Sequence, residues 1–398
     1  MTKISVIGIG DNGLDSLTAT AREKLEAADC VFGAKRHFEN LELDAEMVAW
    51  PSPFDHLVAE IHARSNKAIV VLATGDPLWF SVGCKLAEQF RSEDIEFFPQ
   101  VSSFQLAATR LKWSLQDCEC ISLHGRPIEN LVQYLQPNQQ VLCLTGGSDA
   151  PARAAEILVE HGFGASQMHV LGHIGGKLET HVTAKAKLWD VKNVSELHVL
   201  AVEVVPGEPM QFIAPCCGLK DDAFRHDGKM TKRIVRAATL TKLMPHRNAL
   251  LWDVGAGSGS VSIEWMRAAK NARAIALEAR TERCRNIEEN ARKLGTPSIE
   301  IKNVSAPEGL EGLPEPDAIF LGGGLKDDVL SISMDSLKLG GRLVVNAVTL
   351  ESEAILLAAF QNYGGELERI SVEKADQIGP RHGWRPAMAV TQWNWKKQ

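Results

Sequence analysis

The sequence predicts an α/β protein of two domains, the second built on a Rossmann-like open sheet. Three observations carry this. The chain has 398 residues, more than one ordinary hydrophobic core can serve. Short apolar runs of strand length alternate with amphipathic helical stretches along the whole chain. The alternation breaks once, at Pro206-Gly207-Glu208-Pro209 and Pro215-Cys216-Cys217-Gly218, before a fresh βα series begins. The expected organisation is a first domain over residues 1–205, with subdomains of about 1–112 and 113–205. A linker follows over 206–223, and then a second domain over 224–398, which should fold when cut free.

Each element has its own signal. Ile4-Ser5-Val6-Ile7-Gly8 and Ala68 to Ala73 are short, mostly apolar runs that read as early strands. Thr18 to Asp29 places Ala21, Leu25 and Ala28 on one helical face. Gln140 to Leu144 and Leu197 to Val205 are further strands, and Pro151 opens a helix that runs through Glu160. Beyond the break, a charged helix is expected over Thr231 to Leu243. Strands follow over Ala249 to Val254, Ala272 to Glu278, Ile299 to Ile301, Ala318 to Leu321 and Arg342 to Asn346, with a helix fitting between each pair.

Composition narrows the function. Net charge is −7, which disfavours nucleic acid as the main partner because phosphate binding needs a basic footprint. No apolar run approaches the roughly 20 residues of a membrane helix. The chain enters a strand at once, which points to a cytoplasmic protein without a signal peptide. The eight cysteines form no C-x-x-C pair, so reduced thiols and no metal site are expected.

The sharpest chemical signal is Asp253-Val254-Gly255-Ala256-Gly257-Ser258-Gly259. It follows a strand and opens a helix, where glycines let a ligand approach the backbone and the helix offers free N–H groups. Glu278 ends the next strand, a place where a carboxylate can accept hydrogen bonds from a ribose diol. A dinucleotide site would read G-x-G-x-x-G. Here the spacing is G-x-G-x-G, which resembles class I methyltransferases that bind S-adenosyl-L-methionine; a nicotinamide site and a bare glycine turn are the competing readings.

The run Phe224 to Arg233, with Ser305-Ala306-Pro307-Glu308-Gly309-Leu310, Pro316 to Gly324 and Asn346-Ala347-Val348-Thr349-Leu350-Glu351, resembles the precorrin methyltransferase/decarboxylase group of the cobalamin pathway. The likeness spans residues 224–398. It implies a cofactor site of Thr231, Asp253, Gly255, Ala256, Gly257, Ser258, Gly259, Glu278 and Ala306. Many class I enzymes keep an acid near the end of the third strand; this chain has Asn303 and Ser305, so a backbone contact near Ala306 is expected instead.

In the first half, Val6-Ile7-Gly8-Ile9-Gly10-Asp11-Asn12-Gly13 is a glycine turn after the first strand. Thr74-Gly75-Asp76-Pro77 ends a buried strand, and Pro99 to Gln105 starts a helix that Ser102 or Ser103 can cap. In this order, with His124-Gly125-Arg126 and Thr145 to Pro151, the segments resemble the tetrapyrrole methylase family over about residues 3–205. That family usually reads G-x-G-P-G-D in the first loop; here the proline is missing. The resemblance implies a two-subdomain tetrapyrrole methylase fold with S-adenosyl-L-methionine near Gly8, Gly10, Gly75, Asp76, Ser102 and Ser103.

A chain with both domains in this order resembles the decarboxylating precorrin methyltransferases. The resemblance implies methylation of carbons 5 and 15 of precorrin-6B, a tetrapyrrole, and loss of carbon dioxide from an acetate side chain, giving precorrin-8X. It also implies a homo-oligomer, dimer or tetramer. Methyl transfer to a nucleophilic ring carbon needs positioning more than a protein nucleophile. The side-chain carboxylates need clamps, best made by Arg. Candidates are Arg381 and Arg385 beside His382 in a loop-like Gly379 to Trp384 stretch, and Lys35, Arg36, His37 and Arg126. Asn346, Arg381 and His382 are the expected catalytic residues. The rivals are a bifunctional methyltransferase of another substrate and a nucleotide-sensing regulator; a nucleic-acid base methyltransferase would carry an N/D-P-P-Y/F motif where Leu321-Gly322-Gly323-Gly324 stands.

Overall fold

The computed structural model describes residues 3–39, 41–207 and 213–398. Two compact units divide the chain: Met1–Ile128 with Pro137–Gln211, and Glu129–Gln136 with Phe212–Gln398.

The first unit contains two sheets. One is formed by β1 (Ile4–Ile9), β2 (Cys30–Gly33), β3 (Glu46–Ala49), β4 (Ile69–Thr74) and β5 (Ile95–Phe98), in the order β3-β2-β4-β1-β5 and parallel throughout. Helices α1 (Ala19–Glu26), α2 (Lys35–Phe38), α3 (Leu57–His62), α4 (Val82–Gln89) and α5 (Ser103–Leu111) connect or follow the strands. With both faces covered, every residue of β1 is buried, which is why its sequence is apolar at every position but Ser5 and does not alternate. After β4 the chain crosses to the other side of β1, so the loops following β1 and β4 stand at the switch point where such sheets bind ligands. The other sheet is mixed: β6 (Cys118–Ser122), β7 (Gln140–Leu144), β8 (Gln167–Gly172), β9 (Thr180–Lys185) and β10 (His198–Glu203), in the order β6-β7-β10-β8-β9. Its helix α6 (Ala150–Glu160) carries Pro151 in its first turn.

The second unit is an open seven-stranded sheet. After α7 (Arg233–Leu243) come β11 (Leu250–Val254), α8 (Ser260–Ala268), β12 (Arg273–Leu277), α9 (Thr281–Lys293), β13 (Glu300–Lys302), β14 (Ala318–Leu321), α10 (Asp327–Ser336), β15 (Arg342–Ala347) and α11 (Leu350–Tyr363). Four further strands close the chain: β16 (Glu366–Ile370), β17 (Glu373–Ile378), β18 (Arg381–Pro386) and β19 (Val390–Lys396). The sheet order is β13-β12-β11-β14-β15-β19-β16, with the last two strands antiparallel. Strand residues alternate between two cores. Leu251, Ala274, Ala276, Phe320 and Val344 lie in one; Trp252, Ile275, Leu277, Ile319 and Val345 lie in the other. This is the period of two expected when helices cover both faces.

The sequence reading needs three corrections. Between β13 and β14 there is no α-helix, only a 3-10 turn at Glu308–Leu310, because Pro307, Gly312, Pro314 and Pro316 break any helix there. The stretch holding Arg381 and His382 is not a loop. Both residues are exposed on β18, which pairs with β17 as a two-stranded antiparallel ribbon. Residues 213–223 are packed into the second unit rather than linking to it, with Leu219 in its core. Glu208 and Pro209 of the Pro/Gly break lie outside the described residues.

Candidate active site

In the second unit, the glycine loop leaves β11 with three left-handed residues: Gly255 at φ +72°, Gly257 at +61° and Gly259 at +74°. A Cβ at Gly255 would lie 3.0 Å from the backbone N of Gly323, so the two glycine turns at the ends of β11 and β14 interlock only without side chains. Gly255 and Ala256 both donate N–H to the Leu277 carbonyl, at 3.0 and 3.1 Å. The loop is thus fastened to the end of β12, where Glu278 follows.

Glu278 is nearly buried. Its Oε2 accepts from the Gly257 N–H at 2.9 Å and its Oε1 from the Arg280 N–H at 3.0 Å, while Arg283 Nη1 stands 3.8 Å away. The carboxylate expected to take a ribose diol therefore also holds the loop in place. Each oxygen keeps further acceptor capacity. Asp253 is fully buried. Its Oδ2 accepts from the Ser262 N–H at 3.1 Å and the Ser262 hydroxyl at 2.6 Å, which satisfies the first turn of α8 and matches its dipole. Among the described residues, neither its Oδ1 nor the buried Ser258 Oγ has a hydrogen-bond partner. Burial pushes the Asp253 carboxyl up to about 6.

The remaining predicted residues gather around this loop. Thr231 lies just before α7, and its carbonyl accepts from Arg236 Nη1 at 2.7 Å. The Lys229 carbonyl of the same segment would lie 3.4 Å from a Cβ on Gly257. Ala306 packs, partly buried, against the core that contains Leu277. Asn303 stands where an acid was missed. Its Nδ2 donates to the Glu278 carbonyl at 2.9 Å, and its Oδ1 accepts from the Thr281 hydroxyl at 2.7 Å.

Asn346 lies near the end of β15, one residue beyond the Leu321–Val345 pairing of β14 and β15. Its amide belongs to a buried polar set. Asn346 Nδ2 donates to Thr239 Oγ1 at 3.0 Å; Gln392 Nε2 donates to Asn346 Oδ1 at 2.8 Å and to Thr239 Oγ1 at 3.0 Å. Sequence reasoning missed Thr239 and Gln392. The only available signal was their polarity at positions otherwise apolar in pattern. No hydrogen bond or ion pair among the described residues joins Asn346 to Arg381 or His382; on the ribbon, Arg385 pairs with Asp376 at 3.0 Å.

In the first unit, the three predicted segments meet backbone to backbone. A Cβ on Gly8 would lie 2.2 Å from the Gly75 carbonyl oxygen, and one on Gly75 would lie 3.1 Å from Ser102 Cα. Gly75 also donates its N–H to the Ile9 carbonyl at 3.0 Å. Ser102, rather than Ser103, caps α5. Its Oγ accepts from the Gln105 N–H at 3.3 Å, and Gln105 Oε1 accepts from the Ser102 N–H at 2.8 Å. Asp76 orders its own loop by accepting from the Leu78 N–H at 2.7 Å. Without the proline of the family pattern, the first turn is tied by Ser16, whose Oγ accepts from the Gly10 N–H at 2.9 Å. Asp11 Oδ2 lies 3.2 Å from His173 Nδ1. Arg36 and His37 line a cleft with Gly10, Gly13 and Thr74, whereas Lys35 is exposed and Arg126 donates to the Ser122 carbonyl at 3.5 Å.

The family model described as tetrapyrrole (corrin/porphyrin) methylases matches residues 3–188, and the one described as a precorrin methyltransferase domain matches 222–397. A precorrin-6Y C(5,15)-methyltransferase (decarboxylating) of Sinorhizobium sp. is 44% identical over 99% of this chain and 96% of its own length. Two shorter relatives come from Salmonella typhimurium. A cobalt-precorrin-7 C(5)-methyltransferase is 30% identical over 40% of this chain and 80% of its own. A cobalt-precorrin-6B C(15)-methyltransferase (decarboxylating) is 32% identical over 42% of this chain and 90% of its own. With two such models in series and a relative matched almost end to end, the chain belongs to the family of decarboxylating precorrin C5,15-methyltransferases.

Proposed function

We propose that the chain methylates carbons 5 and 15 of precorrin-6B and releases carbon dioxide from a ring acetate, using S-adenosyl-L-methionine in both units. The observation that carries this reading is a pair of glycine-built cradles, one per unit, where a Cβ would press on backbone at 2.2 Å on Gly8 in the first and 3.0 Å on Gly255 in the second. The second cradle suits an adenosine group. It offers the Glu278 carboxylate, the unpartnered Ser258 hydroxyl and the left-handed turns of Gly255 and Gly257 within one loop. The first offers Gly8, Gly10, Gly75 and Asp76 at the strand ends, with Ser102 and Ser103 opening α5.

When bound, the sulfonium supplies an electrophilic methyl group. The chain's own residues bind, orient and exclude water. Glu278 would accept from ribose hydroxyls while keeping Gly257 in place, and a backbone contact near Ala306 would hold the adenine. Asn346, fixed by Thr239 and Gln392, presents an oriented amide at the carboxyl end of the sheet. Methyl transfer of this kind draws its rate from alignment. In decarboxylation, the electrons of the breaking C–C bond pass into the conjugated ring, and a drier pocket weakens hydration of the departing carboxylate. Arg381 and His382, exposed on their ribbon, serve this reading only if they meet the rim of a large substrate.

The activities of the two shorter relatives, one a C(5)-methyltransferase and the other a decarboxylating C(15)-methyltransferase, suggest a division of labour. The second unit methylates carbon 15 and decarboxylates; the first then methylates carbon 5. Full-length enzyme incubated with precorrin-6B and labelled S-adenosyl-L-methionine should give a product with two added methyl groups and one carbon dioxide lost. Gly8→Val should stop at one methyl with carbon dioxide lost, while Gly255→Val should block decarboxylation. Decarboxylation surviving in Gly255→Val would overturn the assignment of units, and no methylation by the wild type would overturn the function.

A further inference from the structure

One cluster in the first unit consists of donors facing a cleft. Thr74, the last residue of β4, receives two hydrogen bonds on the same oxygen: Arg36 Nη2 donates at 2.6 Å and His37 Nε2 at 3.0 Å. The direction of the imidazole bond follows from the turn that carries it. The Ala34 N–H donates to His37 Nδ1 at 3.3 Å, so Nδ1 accepts and Nε2 bears the hydrogen. The ring is neutral, because burial and the Arg36 charge hold its pKa down at about 4. A hydroxyl oxygen that accepts twice has used its lone pairs and keeps only its O–H to offer. No acceptor for that O–H stands among the described residues.

Arg36 likewise forms no ion pair among the described residues, although the charges of Asp11 and Glu39 act on it from a distance. The residue is exposed overall, yet its head group turns in on Thr74 and is desolvated enough to lower its pKa. No carboxylate of the described residues lies within ion-pair distance of it. The acid that shares the cleft, Asp11, faces His173 at 3.2 Å, and His173 is itself bonded to Ser195 at 3.0 Å. The cleft thus presents a guanidinium fork and a hydroxyl proton, with the neutral imidazole holding the hydroxyl in place. Such a set matches a group that only accepts, and an ionised carboxylate is the planar case. The relatives' own names require a substrate with a carboxyl group to lose.

We propose that Arg36, His37 and Thr74 form a carboxylate subsite that anchors an acidic side chain of the macrocycle beside the first methyl-donor cradle. The proposal rests on the functional reading above. Arg36 and Thr74 would touch the carboxylate; His37 is a positioning residue acting through Thr74.

The test uses the full chain with Arg36→Ala, Arg36→Lys and His37→Gln. Two quantities are read: the half-saturating tetrapyrrole concentration for the second methylation, and S-adenosylhomocysteine binding by calorimetry. Losing a charge-assisted hydrogen bond should raise half-saturation about tenfold or more in Arg36→Ala, so that the singly methylated, decarboxylated product accumulates. Arg36→Lys should recover part of the loss, since it keeps the charge without the fork. S-adenosylhomocysteine affinity at both sites should stay as in the wild type, which also shows that the variants are folded. Unchanged half-saturation in Arg36→Ala overturns the subsite. A parallel loss of S-adenosylhomocysteine affinity overturns it too, by assigning the cluster to the methyl donor. A wild type that adds no methyl to precorrin-6B overturns the functional reading and the subsite with it, whereas an active wild type with an indifferent Arg36→Ala overturns the subsite alone.

Discussion

At the scale of single residues, two buried carboxylates divide the work of the second cradle. Glu278 holds the loop by accepting from the Gly257 N–H. Glu278→Ala should weaken S-adenosylhomocysteine binding at one of the two sites by about 1.5–3 kcal/mol, the worth of a hydrogen bond to a charged group. Calorimetry on the full chain should show one affinity fallen and the other retained; two unchanged affinities would remove Glu278 from the ribose. Asp253 instead secures α8, and burial raises its pKa to about 6 from an ordinary 3.8. A raised carboxyl favours the folded state most when protonated. Its contribution is fully present below about pH 4 and is lost as pH rises through 6. Asp253→Asn does not titrate, so wild-type stability should fall relative to the variant across that window, by up to about 3 kcal/mol for two pKa units. Parallel thermal melts at pH 4 and pH 7 check this. A pH-independent difference would mean the carboxyl does not titrate there.

At the scale of elements, α5 shows how a helix start joins two roles. Ser102 and Gln105 cap each other, and the same turn lies against Gly75. Ser102→Ala should cost about 1 kcal/mol of stability, seen as an earlier denaturant midpoint, and should loosen ligand binding in the first unit. A normal midpoint would show that the remaining Gln105 bond caps the helix alone. The capping signal was readable in sequence because it needs only residues three apart. The absent helix between β13 and β14 was also readable in principle, since prolines and glycines crowd that stretch. The ribbon of β17 and β18 was not. Its strands carry mixed polar and charged residues, exposed almost throughout, so no burial pattern marked them.

At the scale of the whole molecule, the cut at residue 224 needs revision. Arg236, fully buried, donates to Glu264 at 2.7 Å and reaches Asp221 at 3.2 Å and the Leu219 carbonyl. Glu264 in turn accepts from the Gly218 and Leu219 N–H groups. A fragment of residues 224–398 keeps both Arg236 and Glu264 but loses Asp221, the Leu219 carbonyl and both N–H donors, leaving the buried ion pair under-bonded at a cost of about 1–3 kcal/mol for each partner missed. A fragment of 213–398 should therefore unfold later in urea than one of 224–398; equal midpoints would show the 213–223 segment to be dispensable. The full chain, with one cradle per unit, should bind S-adenosylhomocysteine with a stoichiometry near two, and a calorimetric value of one would leave a single working cradle.

The sequence by itself determined the strand–helix alternation, the glycine loops and the helix start at Ser102 or Ser103. Each depends on backbone conformation and on neighbours within a few residues, and Gly, Pro and apolar period report those directly. Only the tertiary structure decided that Glu278 holds Gly257, that Thr239 and Gln392 orient Asn346, and that Arg36 and His37 converge on Thr74. Those contacts join residues from 21 to 153 positions apart. They follow from sheet order and register: β4 beside both β1 and β2, and β19 antiparallel to β15 so that Gln392 faces Asn346. A single sequence carries no local mark of that order. Arg381 and His382 show the same limit from the other side: their residue types suited a clamp, but strand pairing set them on an exposed ribbon, with no hydrogen bond to the amide of Asn346 among the described residues.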